Sequence, residues 1–259
     1  MNFLTSGKLG DFIHTLYVVK YYSFNNNDIN LFYHPSFMEG LDFIGSFNNL
    51  KPLVDRQSYI KSFNIYDNKK NIDISLLDFR YNHNINNLGW TDLLIDTFNM
   101  NRKNCLDWIK SWIETDIDER YQNKIIIHRS NKKMKNETFP WKRLLGRYRN
   151  ENDIIFVSFD EQEFSSFLRE YDEKNIEFVK VNNMYELSVI INSCKLFIGN
   201  QSMPFCMASA LNKDRIVEIC GEYHLYDKWN WYIDECKYYD NLIYYQDEIK
   251  NNLYENIHI

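Results

Sequence analysis

The chain has 259 residues, 44% hydrophobic and 25% charged, a soluble composition long enough for two small α/β domains or one large one. Its net charge of −6 offers no basic footprint for duplex nucleic acid, and no stretch approaches the roughly 18 apolar residues of a membrane span. Five cysteines lie far apart, at 105, 194, 206, 220 and 236, without a Cys-x-x-Cys pair, which argues against a zinc site and for reduced thiols in a cytoplasmic protein.

The chain opens with a short strand, Asn2 to Thr5, and a glycine loop, Ser6-Gly7-Lys8-Leu9-Gly10. Lys8 and Asp11 break the first apolar stretch, so no signal peptide is expected. Asp11 then opens a helix whose apolar positions Phe12, Ile13, Leu16, Val19 and Tyr22 follow the helical period. Residues 29–34 read as a second strand closed by Pro35-Ser36, and 72–77 as another. Helices are expected over 89–99 and 105–114, the second with Leu106, Ile109, Trp112 and Ile113 on one face. Residues 115–123 are polar and aperiodic, and are taken as the linker.

A regular alternation follows. Strands are expected at 124–128, 153–157, 176–179, 195–199 and 215–220, with helices at 141–148, 161–171, 184–193 and 204–211 between them. Strict alternation predicts a parallel sheet with right-handed crossovers. Within it, Leu196 to Leu211 reads as a buried strand, a tight polar turn at Gly199, then a helix with Ser202 as N-cap and Pro204 in its first turn. A helix N-terminus at the carboxyl end of a strand binds anions, phosphates above all. Richness in Asn, Lys, Ile and Tyr, with few Gly, Pro and Ala, reads as AT-biased coding, as in many viruses and some bacteria.

Several residues are placed where chemistry is done. Asp11 is either a helix N-cap or a carboxylate at the mouth of a site, with Lys8 and Gly10 in the same loop. His14, one turn on, is either a packed histidine or an aid to Asp11. After the strand at 124–128 come Arg129, Ser130 and Lys132, Lys133 and Lys135, either a solvated basic loop or a phosphate-binding one. Asn200, Gln201, Ser202 and Met203 form the turn and first helical position of the anion-binding segment. Glu218, near the end of its strand, suits a ribose hydroxyl. The aromatic groups Trp229-Asn230-Trp231-Tyr232 and Tyr238-Tyr239 either stack on a ligand or pack the C-terminal segment onto the body. Asp116-Ile117-Asp118 has the spacing of a metal-holding dyad but lies in the polar linker, so no metal site is expected.

Thr5-Ser6-Gly7-Lys8-Leu9-Gly10-Asp11-Phe12-Ile13-His14-Thr15-Leu16 resembles the opening loop of the ADP-heptose:lipopolysaccharide heptosyltransferases, glycosyltransferase family 9, and Leu196–Leu211 is similar to their second signature. The resemblance implies a GT-B fold: two Rossmann-like domains facing a cleft, here a short, irregular N-terminal acceptor domain (1–120) and a C-terminal nucleotide-sugar donor domain (121–259). It implies metal-independent, inverting transfer of a sugar from a nucleotide diphosphate donor to the hydroxyl of a glycan or other acceptor. Asp11 would be the general base, the helix after Ser202 would take the diphosphate, and no bound cofactor is implied. In GT-B proteins the last segment returns to the first domain. Three positions depart from the family's pattern: Gln201 stands for its Asp, Met203 for its Gly and Cys206 for its His. A non-catalytic nucleotide or nucleotide-sugar binding protein is the alternative. A transferase acting on modified nucleic acid bases is a third reading, disfavoured by the net charge.

Overall fold

The computed structural model describes residues 1–36, 42–85, 88–131, 139–149, 153–173, 175–218 and the backbone of 242–245. The N-terminal part runs β1 (Asn2–Thr5), α1 (Leu9–Ser23), β2 (Asn30–Tyr33), α2 (Phe43–Val54), β3 (Ser62–Ile65), β4 (Ile74–Ser75), a 3-10 turn (Asp78–Tyr81), α3 (Trp90–Thr97) and α4 (Arg102–Trp108). After a second 3-10 turn (Glu119–Tyr121) come β5 (Ile125–His128), α5 (Trp141–Arg149), β6 (Ile154–Ser158), α6 (Glu161–Tyr171), β7 (Glu177–Lys180), α7 (Met184–Ser193), β8 (Leu196–Asn200), α8 (Met203–Ala210), β9 (Arg215–Glu218) and β10 (Leu242–Tyr245). Two parallel sheets result, ordered β3-β2-β1-β4 and β10-β9-β8-β5-β6-β7. The architecture is therefore α/β and GT-B-like, with every crossover returning to the same edge of its sheet.

The C-terminal strands are nearly all apolar because both sheet faces are covered. Ile125 and Ile127 point into one core with Trp141, Phe156 and Ile198. Ile126, between them, points into the other, with Phe197, Phe205 and Val217. That second core continues through α1 to Phe3, Leu31 and Phe63 of the N-terminal sheet. Helix α1 is accordingly buried from Phe12 through Val19. It is a central element, with no solvent face along that run.

Two expectations change. The helix read over 105–114 ends at Trp108, and Ile109 is already extended. Ile109, Trp112 and Ile113 are buried as expected, but in an extended segment, where Trp112 N–H donates to the Ala210 carbonyl (3.0 Å) and its ring Nε1 to the Ile13 carbonyl (2.8 Å). Tertiary hydrogen bonds to α1 and α8 outbid the helical period there. The turn placed at Gly199 comes later, since Gly199 lies inside β8. A side chain at Gly199 would meet the Phe197 ring at 2.8 Å and the His128 carbonyl at 3.0 Å, so the glycine answers to packing and not to a turn. Helix α2 and strand β3 carried no sequence expectation. Residues 242–245 pair in parallel with β9 and extend the C-terminal sheet, and the last segment, for which a return to the first domain is expected, lies outside the described residues. Trp229–Tyr232, Tyr238 and Tyr239 lie outside the described residues.

Candidate functional site

The carboxyl ends of β1, β2 and β4 carry one loop cluster. Gly7 follows β1 with φ +94°, a left-handed conformation that glycine adopts without strain. A Cβ there would lie 2.5 Å from the Arg80 guanidinium, so Gly7 also leaves room for Arg80. The Tyr33 hydroxyl donates to the Gly7 carbonyl (3.3 Å), and the buried Ser6 hydroxyl donates to the carbonyl of Ser36. His34 Nδ1 and the Ser36 hydroxyl lie 2.5 Å apart, which ties the loop after β2 to itself.

Helix α1 starts at Leu9, two residues before the expected start, with Lys8 at the N-cap. Asp11 is therefore inside the first turn and is not the cap. Its carboxylate there favours the positive end of the helix dipole. Arg80 Nη2 donates to Asp11 Oδ2, and the two side chains keep 23% and 21% exposure. Arg80 comes from the 3-10 turn after β4. Sequence reasoning missed it. The signal available was its position just past a strand's carboxyl end, but no local motif surrounds it.

His14 is a packed residue. Its ring is 2% exposed and stacks on Trp90 at 4.5 Å and 11°, with Trp112 on another side. Burial and then the charge of Arg215 push its pKa down to about 3, so it is neutral near pH 7. Its Nε2 is buried with no hydrogen-bond partner among the described residues. An exposed histidine beside Asp11 is not what the fold makes of it. Lys8 is exposed, and Gly10 is partly buried for a reason given next.

The N-terminus of α8 stands directly beside that of α1. A Cβ at Gly10 would come within 3.2 Å of Cys206 Sγ and 3.9 Å of Met203 Cα. The first turn of α1, which carries Asp11, thus packs at Gly10 against the first turn of α8. In that turn, Asn200 Oδ1 accepts from Ser130 N–H (3.1 Å) and Asn200 Nδ2 donates to the Ser130 carbonyl (3.0 Å), so the loops after β5 and β8 are clamped together. Ser202 holds the N-cap position of α8 as expected, but its hydroxyl donates to the Asn200 carbonyl (3.2 Å) and does not cap. Gln201 is buried and Met203 half-buried. Pro204, in the first helical turn, has no N–H, so this helix end offers fewer donors than most.

Arg129 and Glu218 meet, but as partners of each other. Arg129 Nε and Nη2 donate to both Glu218 oxygens at 2.7 and 2.6 Å, and Nη1 to Glu170 at 2.6 Å. Trp141 Nε1 adds a bond to Glu218 Oε2 (3.1 Å). Arg129 is 4% exposed and Glu218 0%. Burial opposes the Arg129 charge, but the Glu218 bonds and charge outweigh it and hold the pKa above the ordinary value. The guanidinium expected to face a diphosphate, and the carboxylate expected to face a ribose, are spent on each other. Lys132, Lys133 and Lys135 lie outside the described residues. Asp116 and Asp118 are held apart by different partners, the Tyr185 hydroxyl and the Arg120 guanidinium. Among the described residues no cluster of three His, Cys, Asp or Glu side chains is placed to hold a metal ion. A cavity of about 310 Å³ at the edge strand β7, between Tyr121, Lys180 and Tyr185, is lined by none of the expected site residues.

No protein-family model and no curated protein matches the chain. Solved structures do. The heptosyltransferase WaaC of E. coli with ADP aligns over 94% of this chain and 92% of its own, with TM-score 0.59 at 10% identity. A family 9 glycosyltransferase of Veillonella parvula gives TM-score 0.54 at 11% identity over 83% of this chain and 79% of its own. The ADP-heptose LPS heptosyltransferase II of E. coli gives 0.52 at 12% over 84% of each. No helix among the described residues is long and apolar enough to cross a membrane. At these identities the likeness is one of backbone architecture: this chain has the GT-B-like fold of the family 9 heptosyltransferases, carried by a divergent sequence.

Proposed function

We propose that this chain transfers a glycosyl group from a nucleotide diphosphate sugar to an acceptor hydroxyl, with inversion at the anomeric carbon and without a metal ion. Asp11 takes the proton of the acceptor hydroxyl. The acceptor oxygen bonds to the anomeric carbon as the bond from that carbon to the diphosphate oxygen breaks, and the diphosphate leaves with the electron pair. Residues 1–120 would receive the acceptor and 121–259 the donor. The observation that carries the reading is the juxtaposition at Gly10: it packs the first turn of α1, which carries Asp11, against the first turn of α8, so that the carboxyl edges of the two parallel sheets meet there. Structural neighbours that are glycosyltransferases, one of them holding ADP, support it.

A specific observation favours a second reading, a nucleotide or nucleotide-sugar binding protein without chemistry. The Arg129–Glu218 pair and Pro204 remove polar groups that a donor would use. One experiment separates the two. Melting temperature is measured against ADP-, GDP- and UDP-sugars, since a ligand of the native state raises it. Release of nucleoside diphosphate is then followed for each ligand that shifts it, with and without EDTA. Asp11→Asn is expected to keep the thermal shift and to lower the rate by about 10²–10⁴-fold, the usual worth of a general base. Binding without turnover in the parent protein would establish the second reading. Turnover lost with EDTA and restored by magnesium would exclude the metal-free mechanism.

A further inference from the structure

The loop cluster around Asp11 contains a cation that sequence reasoning did not supply, and its placement is specific. Arg80 reaches Asp11 from the 3-10 turn after β4, the neighbour of β1 in the sheet. Its guanidinium occupies the space that the missing Gly7 side chain leaves. Its Cζ also lies 4.8 Å from the centre of the Phe79 ring. The contact to Asp11 uses one carboxylate oxygen, Oδ2. No group among the described residues is bonded to Oδ1. Both side chains are more than three-quarters buried, so the pair is shielded without being sealed.

We propose that Arg80 is the positioning residue for Asp11. It grips one oxygen so that the other is presented, fixed in direction, to the acceptor hydroxyl. The inference rests on the reading of Asp11 as general base. A loose carboxylate on the first turn of α1 would sample several rotamers, and misplacement of a reacting group by about 1 Å costs on the order of 100-fold in rate. Arg80 does not touch the substrate in this account, and donor binding does not depend on it. The planar guanidinium matters more than the charge, because the Gly7 gap and the Phe79 face fit a flat group.

The test uses the full chain and follows release of nucleoside diphosphate from a nucleotide sugar that raises its melting temperature. Parent, Arg80→Ala, Arg80→Lys and Asp11→Asn are compared, with melting temperatures checked throughout. Arg80→Ala is expected to lower kcat by about 10- to 100-fold with donor KM within about twofold of the parent. Guanidinium chloride at low, non-denaturing concentration should restore part of that loss, and should leave Asp11→Asn and the parent unchanged. Arg80→Lys keeps the charge without the fork, and should fall between parent and alanine; it carries the comparison if the alanine variant does not fold. A parent-like kcat in the Arg80 variants overturns the proposal while Asp11→Asn remains inert. So does a loss confined to donor KM, or one that guanidinium does not relieve. An active Asp11→Asn overturns the reading on which the proposal rests, a result distinguishable from the others.

Discussion

His14 and Asp11 are three residues apart on one helix, and the fold sends them to different environments. Burial lowers the His14 pKa from its ordinary 6.5 to about 3, so the native state binds that proton more weakly than the unfolded chain. The stabilising contribution is complete above pH 6.5 and is lost progressively as pH falls toward 3. At pH 4.5, two units below 6.5, the cost is about 3 kcal/mol, from roughly 1.4 kcal/mol for each pH unit. His128 is buried with its pKa lowered by desolvation as well, and adds to the same slope. Urea unfolding at pH 7 and 4.5 checks this: His14→Phe, which keeps a ring against Trp90, should lose less stability between the two than the parent. Equal losses would mean that His14 does not stay neutral in the fold. Arg129 makes a different kind of statement. Breaking a buried ion pair by removing one partner costs about 3–5 kcal/mol, because the other charge is left uncompensated. Arg129→Met should lower stability by that order, and Arg129→Met with Glu218→Leu should recover much of it. Unchanged stability with lost nucleotide affinity would return Arg129 to the role of a phosphate ligand.

At the level of elements, the contact between α1 and α8 is the joint on which the site depends. Gly10 makes it possible, since the space for its Cβ is bounded by Cys206 Sγ at 3.2 Å. Overpacking of such a contact costs about 1–3 kcal/mol, against up to about 1 kcal/mol gained from better helix propensity. Gly10→Ala should therefore be neutral to destabilising alone and stabilising in a Cys206→Ala background. A double-mutant cycle by chemical denaturation measures the coupling, and additive effects would mean that the two helices do not meet at this point. Cys206 Sγ fills the approach between the helices. The segment after α4 belongs to the same joint. Trp112 bonds to both α1 and α8, and Ser111 donates to the Ala210 carbonyl (2.9 Å), so residues 109–113 act as a strap across the two helices. Their apolar spacing mimics a helix, yet Ile109, Trp112 and Ile113 are buried from an extended backbone held by these tertiary hydrogen bonds.

On the scale of the whole molecule, one apolar core runs from Phe3 and Phe63 through α1 to Phe197 and Val217. A core shared in this way predicts one cooperative unfolding transition. Circular dichroism and tryptophan fluorescence should give coincident melting curves, and two separated transitions would show that the halves are stable alone. The clasp of Arg56 over the Tyr185 ring at 3.8 Å, between the turn after α2 and helix α7, adds a second tie between the halves. Much of this was legible in the sequence. The period-two and period-3.6 patterns placed β1, α6 and α7 to the residue, and the alternation of strand and helix after residue 124 predicted a parallel C-terminal sheet, because right-handed crossovers join parallel strands. The Ser6–Gly10 loop and the turn opening at Gly199 were placed at strand ends by the same local rules, although α1 already begins at Leu9 and β8 runs on to Asn200. The partners of each charge were not legible, since they come from residues far away in the chain. Asp11 meets Arg80, 69 positions on, and Arg129 meets Glu218, 89 positions on. Sequence alone decided that Asp11, Arg129 and the 200–202 turn would stand at the carboxyl edges of the sheets, though not Arg80. Only the tertiary structure decided which of them face each other, because burying a charge is tolerable only beside its partner and the topology supplies that partner.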